Sequence, residues 1–62
     1  MTLEDHEMIT ERELEQWTHI KVKTLREWRR LGRGPEYQKL GHLVRYKVGD
    51  VKRWIDEESH PK

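Results

Sequence analysis

The spacing of apolar residues predicts a short helix near the start of the chain. Leu14 and Trp17 lie three residues apart, so they share one face of a helix. Thr10 and Glu13 have the spacing of a capping box, in which each side chain accepts a hydrogen bond from the other residue's backbone N–H. These features predict a first helix over residues 11–17.

A longer apolar stripe predicts a second helix after a short turn. Its members recur at intervals of three residues and are Val22, Leu25, Trp28 and Leu31. Gly32 and the pair Gly34-Pro35 should end the helix, since glycine is common just beyond a helix and proline cannot continue one. Only residues 18–21 separate the two helices, which is the spacing of a helix-turn-helix.

The stretch after Pro35 predicts a β-hairpin and a last helix. "YQKL" and "LVRY" are strand-like and flank Gly41-His42, whose glycine-first order suits a type II′ turn. The strand residues expected to join the core are Tyr37, Leu40, Val44 and Tyr46. Gly49-Asp50 then opens a helix. The residues that this helix should bury are Val51, Trp54 and Ile55.

These elements predict a mainly α fold with a β-hairpin wing. The expected architecture is a winged helix-turn-helix: a helix-turn-helix, a two-stranded wing and a C-terminal helix. This domain should cover residues 8–57, between a flexible acidic N-terminus over residues 1–7 and a polar tail over residues 58–62.

Charge is divided unevenly along the chain, although the net charge is only +1. Residues 1–16 hold six acidic residues and one arginine, a net charge of −5. Residues 17–53 hold eleven basic and three acidic residues, a net charge of +8, and residues 54–62 carry −2. A basic middle between acidic ends indicates a polyanionic partner, and a solvated surface of mixed charge is the alternative.

Other classes of function lack the residues that they need. The chain has no cysteine, and its one serine is Ser59 in the polar tail, so no catalytic nucleophile is expected. Its four histidines lack metal-ligand spacing. No apolar run reaches the roughly 18 residues of a membrane span. We therefore expect a cytoplasmic protein that is not an enzyme and uses no cofactor, metal or membrane.

Three stretches, "ITEREL", "VKTLREWRRLGRGP" and "KLGHLVRYKVGDVKRWI", resemble the excisionase-type helix-turn-helix proteins with MerR-like winged-helix architecture. These are small proteins of phages and mobile elements and include recombination directionality factors. The resemblance covers about residues 8–56, and its most specific part is the order of a Leu-Gly turn, a Val-Arg-Tyr strand and a Trp-ending helix. The chain has Lys21 where the family often has a capping Ser or Thr, and His19 where Gly is usual.

The resemblance implies a protein that binds and bends double-stranded DNA. A phage excisionase would occupy adjacent attachment-site repeats, associate head-to-tail with other copies, and direct a phage integrase towards excision in a bacterial host cell. A small prophage transcriptional regulator of the same fold is an alternative. A DNA-packaging adaptor and, from a different class, a basic protein-interaction module are further alternatives.

Two sets of residues are the candidates for DNA contact. The second helix would lie in the major groove, where basic side chains bind guanine, glutamate accepts from cytosine, and threonine meets thymine or phosphate. Its candidates are Lys21, Lys23, Thr24, Arg26, Glu27 and Arg30. The wing would follow the backbone or enter the minor groove. Its candidates are Lys39, His42, Arg45 and Lys47.

The same residues have simpler interpretations. Arg26 and Arg30 could belong to a solvated helix face, and Thr24 could be a spacer within the helix. Glu27 could pair with Lys23 at i, i+4. The three tryptophans could stack on bases, but their apolar spacing predicts that they lie in the core.

Overall fold

The computed structural model describes residues 3–59, which form three helices and one three-stranded antiparallel sheet. In chain order the elements are β1 (Met8–Ile9), α1 (Glu11–Thr18), α2 (Val22–Leu31), β2 (Gln38–Leu40), β3 (Leu43–Lys47) and α3 (Val48–Ser59). The sheet order is β1-β3-β2, so β3 is central. The predicted three helices and hairpin are therefore confirmed, but β1, which the apolar pattern does not show, joins the hairpin and makes the fold mixed α/β where a mainly α fold was expected.

The predicted capping box begins α1. The Thr10 hydroxyl accepts from the Glu13 N–H at 3.1 Å, and the Glu13 carboxylate accepts from the Thr10 N–H at 2.9 Å. The cap satisfies two backbone donors that the first turn of a helix would otherwise leave without a partner. The helix ends at Thr18, one residue beyond the predicted boundary.

Glycines end α2 and make the hairpin turn, as the sequence predicts. Gly32 follows the last helical residue in the left-handed conformation (φ 72°), and the next N–H, of Arg33, donates to the Trp28 carbonyl at 2.8 Å. In the hairpin, Leu40 pairs with Leu43, and Gly41 has φ 66°. That positive φ at the first turn position is what a type II′ turn requires.

The core draws residues from every element except β2. Its buried members are Ile9, Leu14, Leu25, Tyr46, Val48 and Val51. All three tryptophans are half-buried: Trp17 and Trp28 pack against this cluster, and the ring of Trp54 lies 5.7 Å from that of Trp28 between centroids. The sheet meets the helices mainly through β3, which contacts both α1 and α3.

Two of the four strand residues predicted for the core lie in solvent instead. Tyr46 is buried and Val44 is half-buried, as expected, but Tyr37 is 42% exposed and Leu40 is 56% exposed. Leu40 is exposed because it lies on the edge strand β2, whose three residues are all exposed. Tyr37 precedes β2, and its partly exposed ring lies 6.3 Å from that of Tyr46. The hairpin therefore projects from the body of the protein.

Residues 3–7 pack against the start of α3. The carbonyls of Glu7 and Asp5 accept from the N–H groups of Val48 and Gly49, both at 2.9 Å, and the Asp5 carboxylate lies 2.9 Å from Lys52 Nζ. The helix begins before the predicted Gly49-Asp50 because these carbonyls bind its first N–H groups.

The predicted outer segments lie partly outside the described residues. The flexible N-terminus was assigned residues 1–7, of which 1 and 2 are not described. The polar tail was assigned residues 58–62, of which 60–62 are not described. Residues 58 and 59 belong to α3, so the helix continues two residues past the predicted domain boundary.

We expect Gly34→Ala to destabilise the protein more than Gly32→Ala. Both glycines have positive φ (88° and 72°), so an added Cβ costs about 1 kcal/mol at either position. At Gly34 that Cβ would also lie 2.8 Å from Cε3 of Trp28, whereas nothing lies within 4 Å at Gly32. Urea unfolding should show a total loss of roughly 2–3 kcal/mol for Gly34→Ala. An equal loss of unfolding free energy in the two variants would contradict the close approach of Gly34 to Trp28.

Candidate nucleic-acid interface

The exposed face of α2 carries four of the six helix residues predicted to contact DNA. They recur at i, i+3, i+4 and i+7 and are Lys23, Arg26, Glu27 and Arg30, all of them exposed. Leu25 is buried on the opposite face. The other two candidates lie beside this stripe: Thr24 is half-buried, and Lys21 is the exposed residue that precedes the helix.

Glu15 joins the end of α1 to the start of α2. Its carbonyl accepts from the His19 N–H at 2.7 Å, and its carboxylate accepts from the Val22 N–H at 3.2 Å. Lys21 makes no side-chain cap, so this carboxylate takes the place of a capping Ser or Thr. His19 has φ 63°, the left-handed conformation for which the turn usually selects glycine.

Arg26 forms an ion pair with Glu11 of α1 through two of its guanidinium nitrogens. Its Nη2 and Nε donate to Oε1 of Glu11 at 2.7 Å and 3.2 Å. The side chain of Arg26 is 64% exposed and that of Glu11 only 20%. The hydrogen bond from Arg26 holds the pKa of Glu11 below its ordinary value, and the same bond raises the pKa of Arg26. The guanidinium is therefore held in place while much of it stays open to solvent.

Arg29 connects α2 to both α1 and β3. Its guanidinium lies 3.3 Å from the other oxygen of Glu11, and its Nη1 donates to the Tyr46 hydroxyl at 2.8 Å. The guanidinium carbon also lies 5.7 Å from the centre of the Tyr37 ring. The side chain is only 17% exposed. Arg29 is therefore a packing residue that links three elements.

Glu27 and Arg30 pair with each other on the exposed stripe. Nε of Arg30 donates to Glu27 Oε1 at 3.0 Å, and this hydrogen bond lowers the pKa of Glu27. The structure thus pairs Glu27 with Arg30 at i, i+3 and not with Lys23, the alternative that the sequence suggested. Because both side chains are exposed, water screens the pair and it can rearrange readily.

A cleft of about 420 Å³ lies between the start of α1, the middle of α2 and β3. Its charged lining is Glu11, Arg12, Arg26, Arg29 and Arg45, a formal charge of +3. His42 of the hairpin turn also lines it. Three predicted contact residues, Arg26, His42 and Arg45, thus come together from α2 and the hairpin. A groove with this excess of positive charge suits a polyanion such as a nucleic-acid backbone.

One edge of β3 is free where it borders the cleft. β1 stops pairing with β3 at Ile9 and Tyr46, because Thr10 then begins α1. Alternate residues of a central strand bond to opposite neighbours, so the backbone of Val44 faces the side that β1 has left. The Val44 carbonyl accepts from Nη1 of Arg45 at 2.8 Å. This hydrogen bond holds the Arg45 guanidinium at the edge of the strand.

The remaining hairpin candidates lie outside the cleft. Lys39 is exposed on β2. Lys47 ends β3 and lines a different shallow depression beside the start of α3. The charged and titratable residues that share this depression are Asp5, His6, Asp50 and Arg53. The structure therefore groups His42 and Arg45 with α2 and separates Lys47 from them.

Arg12 belongs to the same surface, although the sequence analysis did not select it. It lines the cleft and also a neighbouring depression that contains His19 and Lys21. A continuous basic surface therefore runs from Lys21 through Arg12 to Arg45. The only sequence signal is that Arg12 is the single basic residue among residues 1–16. Its position beside the hairpin depends on how α1 packs against β3.

Residues 3–59 show neither a metal centre nor a membrane-spanning helix. In this range no three histidine, aspartate or glutamate side chains are grouped in a way that could hold a metal ion. Within the same described range, no helix is both long and apolar enough to cross a membrane.

We expect Glu11→Gln to destabilise the protein at neutral pH and to weaken its sensitivity to acid. The folded-state pKa of Glu11 is lowered, so its ionised form stabilises the fold above the unfolded-state pKa. That contribution is lost as the pH falls through the folded-state pKa. The free energy of unfolding at pH 7 should drop by about 1 kcal/mol, as measured by urea unfolding between about pH 2 and 7.

Glu27→Gln is the matched control for this experiment. Its pKa is also lowered by an arginine, but the pair is exposed and lies within a single helix. We expect the acid dependence of this variant to stay close to that of the unmodified protein. If Glu11→Gln shows the same acid dependence as the unmodified protein, Glu11 does not link the elements as described.

No known protein family, curated protein or solved structure matches this chain. Its relation to the excisionase-type proteins therefore stays a prediction from the three quoted stretches. The functional conclusion depends on the fact that α2, the cleft and the hairpin lie on one surface of the protein.

Proposed function

We propose that the protein binds double-stranded DNA as a winged helix-turn-helix. In this arrangement α1 and α2 are the helix-turn-helix, and the β2–β3 hairpin is the wing. The observation that carries the proposal is the cleft in which Arg12, Arg26 and Arg45 come together from three elements. A DNA backbone strand lying along this cleft would have α2 in the major groove on one side and the hairpin at the minor groove on the other.

The size and chemistry of α2 support its role as the recognition helix. The ten residues of α2 make a helix about 15 Å long, and the helix diameter of about 10–12 Å suits a major groove about 12 Å wide. Lys23 and Arg30 can donate to guanine O6 and N7, and Glu27 can accept from cytosine N4. The exposed pair between Glu27 and Arg30 can rearrange, so each group is able to turn to a base when DNA binds.

Arg26 is placed to bind a phosphate at the mouth of the cleft. Glu11 engages Nε and Nη2, while the side chain as a whole stays 64% exposed. A guanidinium has five N–H donors, so it can hold Glu11 and still donate to a phosphate oxygen. Arg45 is held in a similar way, with Nη1 on a carbonyl of the strand edge.

The resemblance to excisionase-type proteins supports a specific task for this DNA-binding surface. The protein would bind adjacent attachment-site repeats, bend the DNA, associate head-to-tail with neighbouring copies and direct an integrase towards excision in the cytoplasm of its host. A small transcriptional regulator would use the same residues on a single operator. The two roles differ in whether copies cooperate on DNA.

The proposal is tested by selecting duplexes from a randomised library with the purified protein. Titrations of the recovered duplex at several salt concentrations then measure the association constant. We expect the logarithm of this constant to fall against the logarithm of salt concentration with a slope of about −4 to −5, as roughly five phosphate contacts require. Absence of binding to any duplex at low salt would overturn DNA binding and favour a module that docks an acidic protein.

Arg45→Ala and Arg33→Ala form a matched pair for locating the surface. Both remove one arginine, but Arg33 follows α2 and does not line the cleft. Arg45→Ala should weaken binding about tenfold and reduce the salt slope by about one, because one phosphate contact is lost. Arg33→Ala should leave both values nearly unchanged. Equal effects would show that overall charge, and not the cleft, determines binding.

Duplexes with one, two and three copies of the selected site distinguish the two biological roles. In a gel-shift titration, cooperative filling makes the bands of singly and multiply occupied duplex appear together at low protein concentration. This result supports an excisionase that assembles on DNA. Independent filling of each site supports a transcriptional regulator. Both biological roles would use the same DNA-binding surface, which is formed by α2, the cleft and the hairpin.

A further inference from the structure

The tip of the β2–β3 hairpin is apolar and points into solvent. Leu40 and Leu43 flank the two-residue turn and are 56% and 46% exposed. They are direct cross-strand partners, so their Cβ atoms are about 5 Å apart and the side chains form one surface. The core does not use them: no residue of β2 is buried, and Leu43 at the start of β3 is exposed as well. An exposed leucine pair on a projecting turn therefore needs a role outside the fold.

A histidine and an arginine lie close to this apolar pair in the sequence. His42 occupies the turn between the two leucines, and Arg45 lies two residues after Leu43, on the same face of β3. Behind them lies the cleft with its formal charge of +3. A partner that fits this surface has an anionic exterior and an apolar interior that two side chains can reach. Duplex DNA has both, in its phosphates and its stacked bases.

We infer that Leu40 and Leu43 form a wedge that enters the minor groove and partly unstacks one base step, so that the DNA kinks towards the major groove. Apolar side chains of minor-groove proteins act in this way and bend the duplex by roughly 20–90°. The inference deepens the proposed function and depends on it, since the hairpin must lie on DNA. Flexible pyrimidine–purine steps, such as TA and CA/TG, are the expected positions of the kink.

The small size of the apolar tip favours a base step over a protein partner. A stable protein interface buries about 1,200–2,000 Å² of total surface, which two half-exposed leucines cannot supply. A wedge, by contrast, needs only one or two side chains, and the neighbouring cations supply the affinity. The other exposed leucine, Leu31, ends α2 and lies outside the hairpin.

The test compares the double variant L40A/L43A with L31A, which truncates a leucine of similar exposure (52%) away from the tip. The probe is the duplex recovered from the library, labelled at its two ends with a donor and an acceptor dye. Energy transfer between the dyes reports the bend. A second copy of the duplex carries 2-aminopurine at the flexible steps, where fluorescence rises on unstacking.

We expect L40A/L43A to bind the duplex with an affinity within about tenfold of the unmodified protein, because the phosphate contacts remain. The energy-transfer change should fall to less than about half, and the 2-aminopurine signal should disappear. L31A should behave as the unmodified protein does. Circular dichroism checks the fold, and if L40A/L43A does not fold, L40T/L43T repeats the test with residues that favour strands.

If L40A/L43A bends the duplex as much as the unmodified protein does, the wedge is overturned and DNA binding stays intact. A dimer of the unmodified protein in solution that L40A/L43A abolishes would also overturn it and assign the tip to contact between copies. Failure of the unmodified protein to bind any duplex would overturn both the wedge and the proposed function.

Discussion

A single carboxylate, that of Glu11, holds the two helices and the hairpin in their relative positions. It binds Arg26 and Arg29 of α2, and Arg29 continues to the hydroxyl of Tyr46 in β3. The core cluster has only six buried residues, about one from each element. So small a core defines the orientation of its elements weakly. Directional hydrogen bonds between charged groups supply the geometry that packing alone does not.

The small size of the core also explains why the hairpin projects. β3 is held by β1 and by the buried ring of Tyr46, but β2 is attached only through β3. A strand in this position has no cover for its apolar side chains, and its free face is accessible to a large partner. The exposure of the outer strand thus has one cause, since no helix among residues 3–59 covers β2.

Features that depend on neighbouring residues could be predicted from the sequence. The capping box at Thr10 and the turn at Gly41 follow from residues within three positions of each other. β1 has only two residues, too few for a periodic pattern, and the contact between Glu11 and Arg26 spans 15 positions. Leu40 was misplaced because an apolar residue in a strand does not reveal whether anything covers it. The cleft and the role of Arg12 required the tertiary structure for the same reason.

Glu15 binds the backbone at both ends of the turn between α1 and α2. One residue accepts from the backbone on both sides of the turn, through its carbonyl at His19 and through its carboxylate at Val22. The first turn of α2 is thus capped from outside the turn. Lys21 is exposed and makes no side-chain cap, so its substitution leaves this cap in place, whereas Ile20 packs against the core. Under the proposed DNA binding, substitutions at the exposed front of α2 would change the target while the cap from Glu15 stays the same.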